Sequence, residues 1–356
     1  MINVSFEKLK EAVIKKLVLA DVSESDAEIV ADVLCYADVR GIHSHGALRL
    51  EHYIKRIKAG GINLKSNFNI EAKKPSFALM DADGGSGHIA MKKATDWAIE
   101  TADKQGIAVI GIKNNSHCGA LSYYNKMAID KKKVSLIMAN TDPGVIPYGG
   151  KRAFFGTNPI SYGFPAKNDF LLGDMATSEV AFGRIFTARD NNEKVPINWG
   201  VDENGNSTDD PKKIKYVIPF GGAKGYVIMT MIEAFTGLLI GNVYCNNLVK
   251  MYGDMDKKRN LSTFMLVVDP FVYNEDYLDT VQSFIDDIRK EPSLDENKPI
   301  TIPGERKEAC YRDYLKNGIS LSEKVYKYVF EDWLNITKFL VYIEIYHSYL
   351  TFNMYF

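Results

Sequence analysis

Between Ser76 and Ile160, short apolar runs alternate with longer amphipathic ones, and this alternation constrains the fold more than any other feature of the chain. Phe77–Met80, Ile107–Ile112 and Val134–Ala139 read as strands, while His88–Lys104 and Gly119–Lys132 read as helices. Such a series builds a sheet with helices packed on it, and sheets of this kind expose reacting groups where a strand turns into a helix. One of these turns, Asn114-Asn-Ser-His-Cys-Gly-Ala120, carries His117 between an apolar strand and a helix.

Upstream of the sheet, apolar residues recur at three and four spacing over 5–18 and 25–39, with Ser25 and Glu28 spaced as a capping box for the second run. Arg49, Tyr53, Ile54 and Ile57 lie on a third helix that stops at Gly60-Gly61. Downstream, Pro143–Pro165 is punctuated by glycine and proline, a polar loop runs through Asp202–Pro211, and regular structure resumes after Lys224 and at Phe264–Val268.

Composition narrows the partners. The 356 residues are 46% hydrophobic and 25% charged, enough for a sizeable core, and a net charge of −1 supplies no basic field for nucleic acid or anionic lipid. A small neutral or anionic metabolite is the expected ligand. The four cysteines are scattered without a Cys-x-x-Cys pair, so zinc is not expected and a reducing cytoplasm fits. Ser5–Glu11 starts an amphipathic helix and lacks the apolar core of a signal peptide, so no export is expected. Tyr226–Val243 is interrupted by Glu233 and falls short of the roughly 20 apolar residues that span a bilayer, so it reads as a buried core helix. Lys338–Phe356 gathers seven aromatic residues, among them Tyr342, Tyr346 and Phe352, as an interface or as a terminal segment packed on its own core.

Several turns carry candidate chemistry. His117 has the side chain suited to taking a proton from a substrate hydroxyl at neutral pH, although a histidine serving only the core would look the same in sequence. His43 and His45 sit in Arg40-Gly-Ile-His-Ser-His-Gly46, a second tight turn after an apolar helix. Gly85-Ser-Gly87-His-Ile-Ala90 has the spacing of a dinucleotide fingerprint, but the next strand ends in Lys113-Asn114 where that fingerprint wants an acid. Gly149-Gly150, Gly156-Thr-Asn-Pro159, Asp174-Met-Ala-Thr-Ser178 and Gly221-Gly-Ala-Lys-Gly-Tyr226 are turns that singly look structural and jointly suggest a cofactor cleft. Arg49 and Arg259 each offer a guanidinium fork for a carboxylate, or a salt bridge. No nucleophile elbow, P-loop or metalloprotease helix occurs, which excludes those routes to acyl transfer, nucleotide hydrolysis and metal hydrolysis; no metal is expected.

In this order, Arg40–Gly46, Ser116-His117, Pro147-Tyr-Gly-Gly150, Gly156–Pro159, Asp174-Met-Ala-Thr177, Pro196 with Trp199, Asp210-Pro211 and Gly222-Ala-Lys-Gly-Tyr226 resemble the type 2 malate/L-lactate dehydrogenase family over residues 5–330. The resemblance implies nicotinamide-dependent oxidation of a 2-hydroxy acid, or reduction of a 2-oxo or imino acid. It also implies an α/β fold with an α+β-like mixed sheet, distinct from a Rossmann domain, behind an N-terminal helical region; the Gly85–Ala90 match is then accidental. Residues 1–72 and 236–356 would form a helical substrate and dimerisation domain, and 73–235 an α/β cofactor-binding domain.

By the same resemblance His117 is the proton acceptor, with Ser44 and His45 also in the catalytic group. Arg49, Tyr53, Arg259 and Asn260 surround the substrate. His45, Thr141, Asp174, Met175, Ala176, Lys224, Gly304 and Glu305 lie near NAD, with NADP also open. A homodimer or higher homo-oligomer is implied, with neither nucleic acid nor membrane as partner. Tyr36–Ala47 and Met251-Tyr-Gly-Asp254 with Arg259-Asn-Leu261 resemble a subgroup whose hydroxy acid carries a ureido group; malate, lactate and sulfolactate are the alternatives. A metabolite-binding protein without catalysis is the reading from another class.

Overall fold

A computed structural model describes residues 1–331, and the aromatic segment Lys338–Phe356 lies outside them. The chain divides into two compact units, Met1–Ile54 with the described residues from Ala309 on, and Lys55–Glu308.

The first unit opens with β1 (Ile2–Val4), α1 (Phe6–Val18) and α2 (Glu24–Val39). Ser5 Oγ accepts the Lys8 amide and Ser23 Oγ the Asp26 amide, each at 3.3 Å, so an otherwise open donor at each helix start is satisfied. The second cap is therefore Ser23; the expected Ser25 is already inside the helix. Leu9, Val13 and Leu17, one stripe of α1, are buried where α1 packs on α2. Two single turns, His43–His45 and Ala47–Arg49, lead into α3 (Leu50–Lys58), which ends before Gly60 at a φ of 88°.

The second unit is built on a seven-stranded sheet. Along the chain come β2 (Asn69–Lys74), β3 (Phe77–Asp81), α4 (Gly87–Gln105), β4 (Ile107–Asn115), α5 (Ser122–Asp130), β5 (Val134–Ala139), β6 (Ile160–Pro165) and β7 (Phe170–Met175). Then follow α6 (Phe182–Asn191), the short pair β8 (Gly200–Val201) and β9 (Tyr216–Val217), α7 (Ala223–Glu233), β10 (Leu261–Val268), α8 (Tyr277–Lys290) and α9 (Glu305–Asn317). Back in the first unit, β11 (Ile319–Leu321) pairs antiparallel with β1.

The sheet order is β2-β3-β4-β10-β5-β6-β7, and among the described strands only β3 and β4 run parallel within it. A dinucleotide-binding sheet of the Rossmann type is mostly parallel, so the mixed, family-specific fold holds and the fingerprint at Gly85–Ala90 sits in a different setting. The compact units also divide at other places than residues 72 and 236. β10 hydrogen-bonds between β4 and β5, which ties the 236–308 region to the sheet rather than to the N-terminal helices.

Side chains alternate across each strand. Ile110, Ile112, Ile137, Met265 and Val267 are fully buried, and α4 and α5 pack on the sheet. Their neighbours Val109, Leu136 and Leu266 are only partly covered, packing with Phe235, Ile240 and the buried Ile232 around α7. The chain after Glu233 widens into a π-helical turn, Ala234–Leu238. Val227, Leu238 and Leu239 remain 66%, 58% and 66% exposed, so the helical part of Tyr226–Val243, which ends at Leu238, is half-covered and not buried. Its sequence is apolar all round, but the sheet occupies one side only. Among the described residues no helix is long and apolar enough to cross a membrane.

Candidate active site

His117 stands on the turn from β4 to α5, half-buried. Its Nδ1 accepts the Gly119 amide at 3.2 Å, and Gly119 reaches that position with a φ of 76°. In the neutral ring assigned from this bond, Nδ1 holds the lone pair and Nε2 carries the proton. Tyr124 Oη donates to the Cys118 carbonyl at 2.7 Å and clamps the turn from below. Burial, and then the Asp174 charge, push the Cys118 thiol up to about 12, so it stays protonated and is no nucleophile.

Gly87 explains the fingerprint-like spacing. A Cβ there would fall on the carbonyl oxygens of Ser116 and His117, so the first turn of α4 lies directly against the His117 turn. The glycine serves that close approach. His88 beside it is buried, and desolvation pushes its imidazole down to about 3, which keeps it neutral.

The cofactor candidates of the second unit form one hydrogen-bonded series. Ser122, at the start of α5, donates its amide to Asp174 Oδ2 at 2.9 Å. Thr141 Oγ1 accepts the Thr157 amide at 2.8 Å, and the Thr141 amide donates to Asn158 Oδ1 at 3.1 Å. The Thr177 amide donates to the Thr157 carbonyl at 2.9 Å, and Phe220 donates in turn to the Thr177 carbonyl at 3.0 Å. Phe220 leads through Gly221 and Gly222, both at positive φ, to the exposed Lys224 on the first turn of α7. Gly304, at a φ of 101°, lies against Leu172 of β7, two residues before Asp174. Glu305 accepts the Ile302 amide at 2.9 Å and Arg289 at 3.1 Å. Thus the segments of Thr141, Thr157 and Thr177 are bonded to one another, Asp174 is bonded to the start of α5 after the His117 turn, and Gly304 lies against β7. Met175 is 45% exposed there.

Arg259 and Asn260 precede β10. Arg259 is buried and ion-paired with Asp142, its Nε donating to the Val249 carbonyl at 3.2 Å; it is not a surface salt bridge. Asn260 has a φ of 55° and its carbonyl accepts Asn242 Nδ2 at 3.0 Å.

The first unit gathers the remaining candidates around one buried carboxylate. Asp38, on the last turn of α2, accepts His43 Nδ1 at 2.8 Å and the Ala47 amide at 2.6 Å. Burial raises its pKa, and those two bonds oppose the rise. A Cβ at Gly46 would fall on the same carboxylate. The loop closed this way carries Ser44, whose Oγ lies 2.9 Å from His45 Nδ1, and whose carbonyl accepts Arg49 Nε at 2.6 Å. Tyr53 is buried on α3.

Sequence reasoning gave no site role to Asp38, Asp142 or Glu233, and had Asn158 only as part of the turn Gly156–Pro159. Glu233 is buried in α7 and accepts Asn140 Nδ2 at 3.2 Å, Asn158 Nδ2 at 2.7 Å and the Cys245 amide at 3.2 Å, so it braces the Thr141 turn from beneath. Its only sequence signal is a carboxylate inside an otherwise apolar run. Among the described residues no group of three or more His, Cys, Asp or Glu side chains is arranged to hold a metal ion.

Known proteins share this chain over nearly its whole length. Ureidoglycolate dehydrogenase (NAD(+)) of Escherichia coli O157:H7 is 34% identical over 343 residues, 95% of this chain and 97% of that protein. Malate/(S)-sulfolactate dehydrogenase of Methanothermus fervidus is 34% identical over 94% of this chain and 98% of its own length. The solved sulfolactate dehydrogenase of Methanocaldococcus jannaschii superposes with a TM-score of 0.88 at 30% identity, covering 94% of this chain and 98% of that one. The malate/L-lactate dehydrogenase family model matches residues 4–329, and with the mixed sheet this makes the chain a member of the malate/L-lactate dehydrogenase family.

Proposed function

We propose that this protein is a cytoplasmic enzyme that oxidises (S)-ureidoglycolate to oxalurate with NAD, a step of allantoin breakdown. The observation that carries the oxidoreductase reading is His117, half-buried on a turn joined through Ser122 to Asp174 and held by the start of α4. The substrate rests on the segments Tyr36–Ala47 and Met251–Leu261, since the 34% identity with ureidoglycolate dehydrogenase is equalled by that with malate/(S)-sulfolactate dehydrogenase.

The residues fit a dinucleotide. Lys224 offers a cation at the α7 N-terminus, where open backbone amides also favour phosphate, and Asp174 with Glu305 supplies acceptors for hydroxyls. In this reading Thr141, Asp174, Met175, Ala176, Lys224, Gly304 and Glu305 hold the cofactor. A bound nicotinamide supplies the hydride acceptor. His117 takes the hydroxyl proton, and doing so gives up the Gly119 bond because both ring nitrogens then donate. Arg259 and Asn260 orient the substrate. The family resemblance gives Arg49 and Tyr53 a substrate role, Ser44 an orienting role, and His45 a role in the catalytic group and at the cofactor. A site shaped for a ureido group rejects malate or lactate, which would leave polar groups without partners.

The same reading includes a homodimer. The partly covered face of the sheet, with Val227, Leu238 and Leu239 largely exposed on the helix that crosses it, is the apolar surface a second copy would bury. Light scattering tests it, and a monomer at working concentration refutes it.

The deciding experiment follows reduced-nicotinamide absorbance with (S)-ureidoglycolate, malate, lactate and sulfolactate, each with NAD and with NADP. Turnover confined to ureidoglycolate and NAD is expected. Preference for malate or sulfolactate keeps the family and overturns the substrate, and silence in both directions favours a binding protein.

A further inference from the structure

Val249–Lys258 contains neither helix nor strand, so its backbone carbonyls need partners from elsewhere. They converge on one side chain. Arg56, on α3 within the same unit, is only 1% exposed. Its Nη1 donates to the carbonyls of Lys257 at 2.7 Å and Asp254 at 3.3 Å. Its Nη2 donates to those of Met251 at 3.0 Å, Lys250 at 3.1 Å and Gly253 at 3.1 Å. Five carbonyl dipoles thus surround a buried cation, and the loop folds around the guanidinium much as a loop folds around a metal.

Two further contacts close the cage. A Cβ at Gly61 would fall on the Met255 carbonyl, so the turn after α3 lies against the loop. Asp142 Oδ2 accepts the Met251 amide at 3.1 Å while its other oxygen pairs with Arg259. Burial lowers the Arg56 pKa, the Arg259 charge adds to this, and Asp142 opposes it. Arg56, Asp142 and Arg259 are therefore one electrostatic group, and the loop they shape ends in Arg259-Asn260.

We propose that Arg56 is a positioning residue for substrate selection: it gathers the carbonyls of Lys250–Lys257 and so sets where Arg259 and Asn260 present their polar groups to the hydroxy acid. This rests on the reading that those two residues bind substrate. Only a planar fork reaches five acceptors, and the compact ammonium of lysine does not.

The test compares wild-type protein with Arg56→Lys and Arg56→Ala, the lysine variant keeping the charge if alanine does not fold. Backbone hydrogen exchange is read over the whole chain. Michaelis parameters are measured for (S)-ureidoglycolate and malate, and NADH affinity by fluorescence. Faster exchange is expected at 249–260 alone. kcat/KM for ureidoglycolate should fall by ~10- to 100-fold, mostly through KM, as expected for a misplaced binding group. The ratio of ureidoglycolate to malate turnover should drop, NADH affinity should hold, and ethylguanidinium should partly rescue Arg56→Ala. Unchanged loop exchange overturns the cage. Loosened exchange with an unchanged KM and substrate ratio overturns the role in selection, as does a loss spread equally over NADH binding and the whole chain. Failure of the underlying reading looks different: the wild-type protein is then inactive on every hydroxy acid, which removes the role in selection while the exchange data still report on the cage.

Discussion

Acid should weaken the fold through His88, which is buried beside the His117 turn. That ring lies 2% exposed on the first turn of α4, and burial pushes it down to about 3 from the ordinary 6.5. Above pH 6.5 the ring is neutral in folded and unfolded chains, so it adds no dependence on pH. Between about 6.5 and about 3 the unfolded chain binds one more proton than the folded one, and each pH unit of fall removes about 1.4 kcal/mol of stability. At pH 4 the loss is about 3 kcal/mol, a large share of the roughly 5–15 kcal/mol that holds a domain together. Urea unfolding of wild type and His88→Gln at pH 8, 6, 5 and 4 isolates this contribution, because every other group titrates in both. The wild type is expected to lose stability faster below pH 6.5, by one proton's slope. Parallel curves would mean that His88 titrates normally in the folded protein and would refute the reasoning.

Three more outcomes are expected. His117→Ala lowers turnover by about a hundredfold or more, as loss of a general base commonly does, with NADH affinity near wild type; an unchanged rate removes His117 from the mechanism. Gly87→Ala drives a methyl into the His117 turn and lowers stability by about 1–3 kcal/mol in thermal melts, with a larger fractional loss of turnover. Arg49→Lys raises the KM for the hydroxy acid because the guanidinium fork is lost, and an unaltered KM and turnover count against that role.

Local pattern was enough for much of this architecture. Apolar runs of four to six residues between turn residues read as strands because a strand needs only alternate faces buried, and 77–81, 107–115 and 134–139 are strands, β4 running three polar residues further than read. Three-and-four spacing in 6–18 and 24–39 is a property of the helix itself, so those elements were legible to within a residue or two. The cap of α2 was misplaced by two residues because Ser23 and Ser25 are equally good in sequence, and only the backbone path chooses between them. The family motifs mark turns, and turns depend on nearby glycines and prolines that a sequence displays.

What the sequence by itself determined is therefore the central elements around the β4 turn and the N-terminal helices, the turns that carry His117, Asp174 and Lys224, and the family, while β1, β2, β6, β11, α6, α8 and α9 were not read from it. Tertiary structure decided the rest. It set β10 between β4 and β5, which moved the division between the units, and it turned an apolar helix into a half-covered one. It made Gly87 a packing residue, gave Asp38 and Glu233 their bracing roles, and wrapped 250–257 around Arg56. These features share one physical reason. A buried charge or a close backbone approach is defined by partners distant along the chain, as Arg56 is from Met251 by 195 residues, and no local period or composition encodes such a distance.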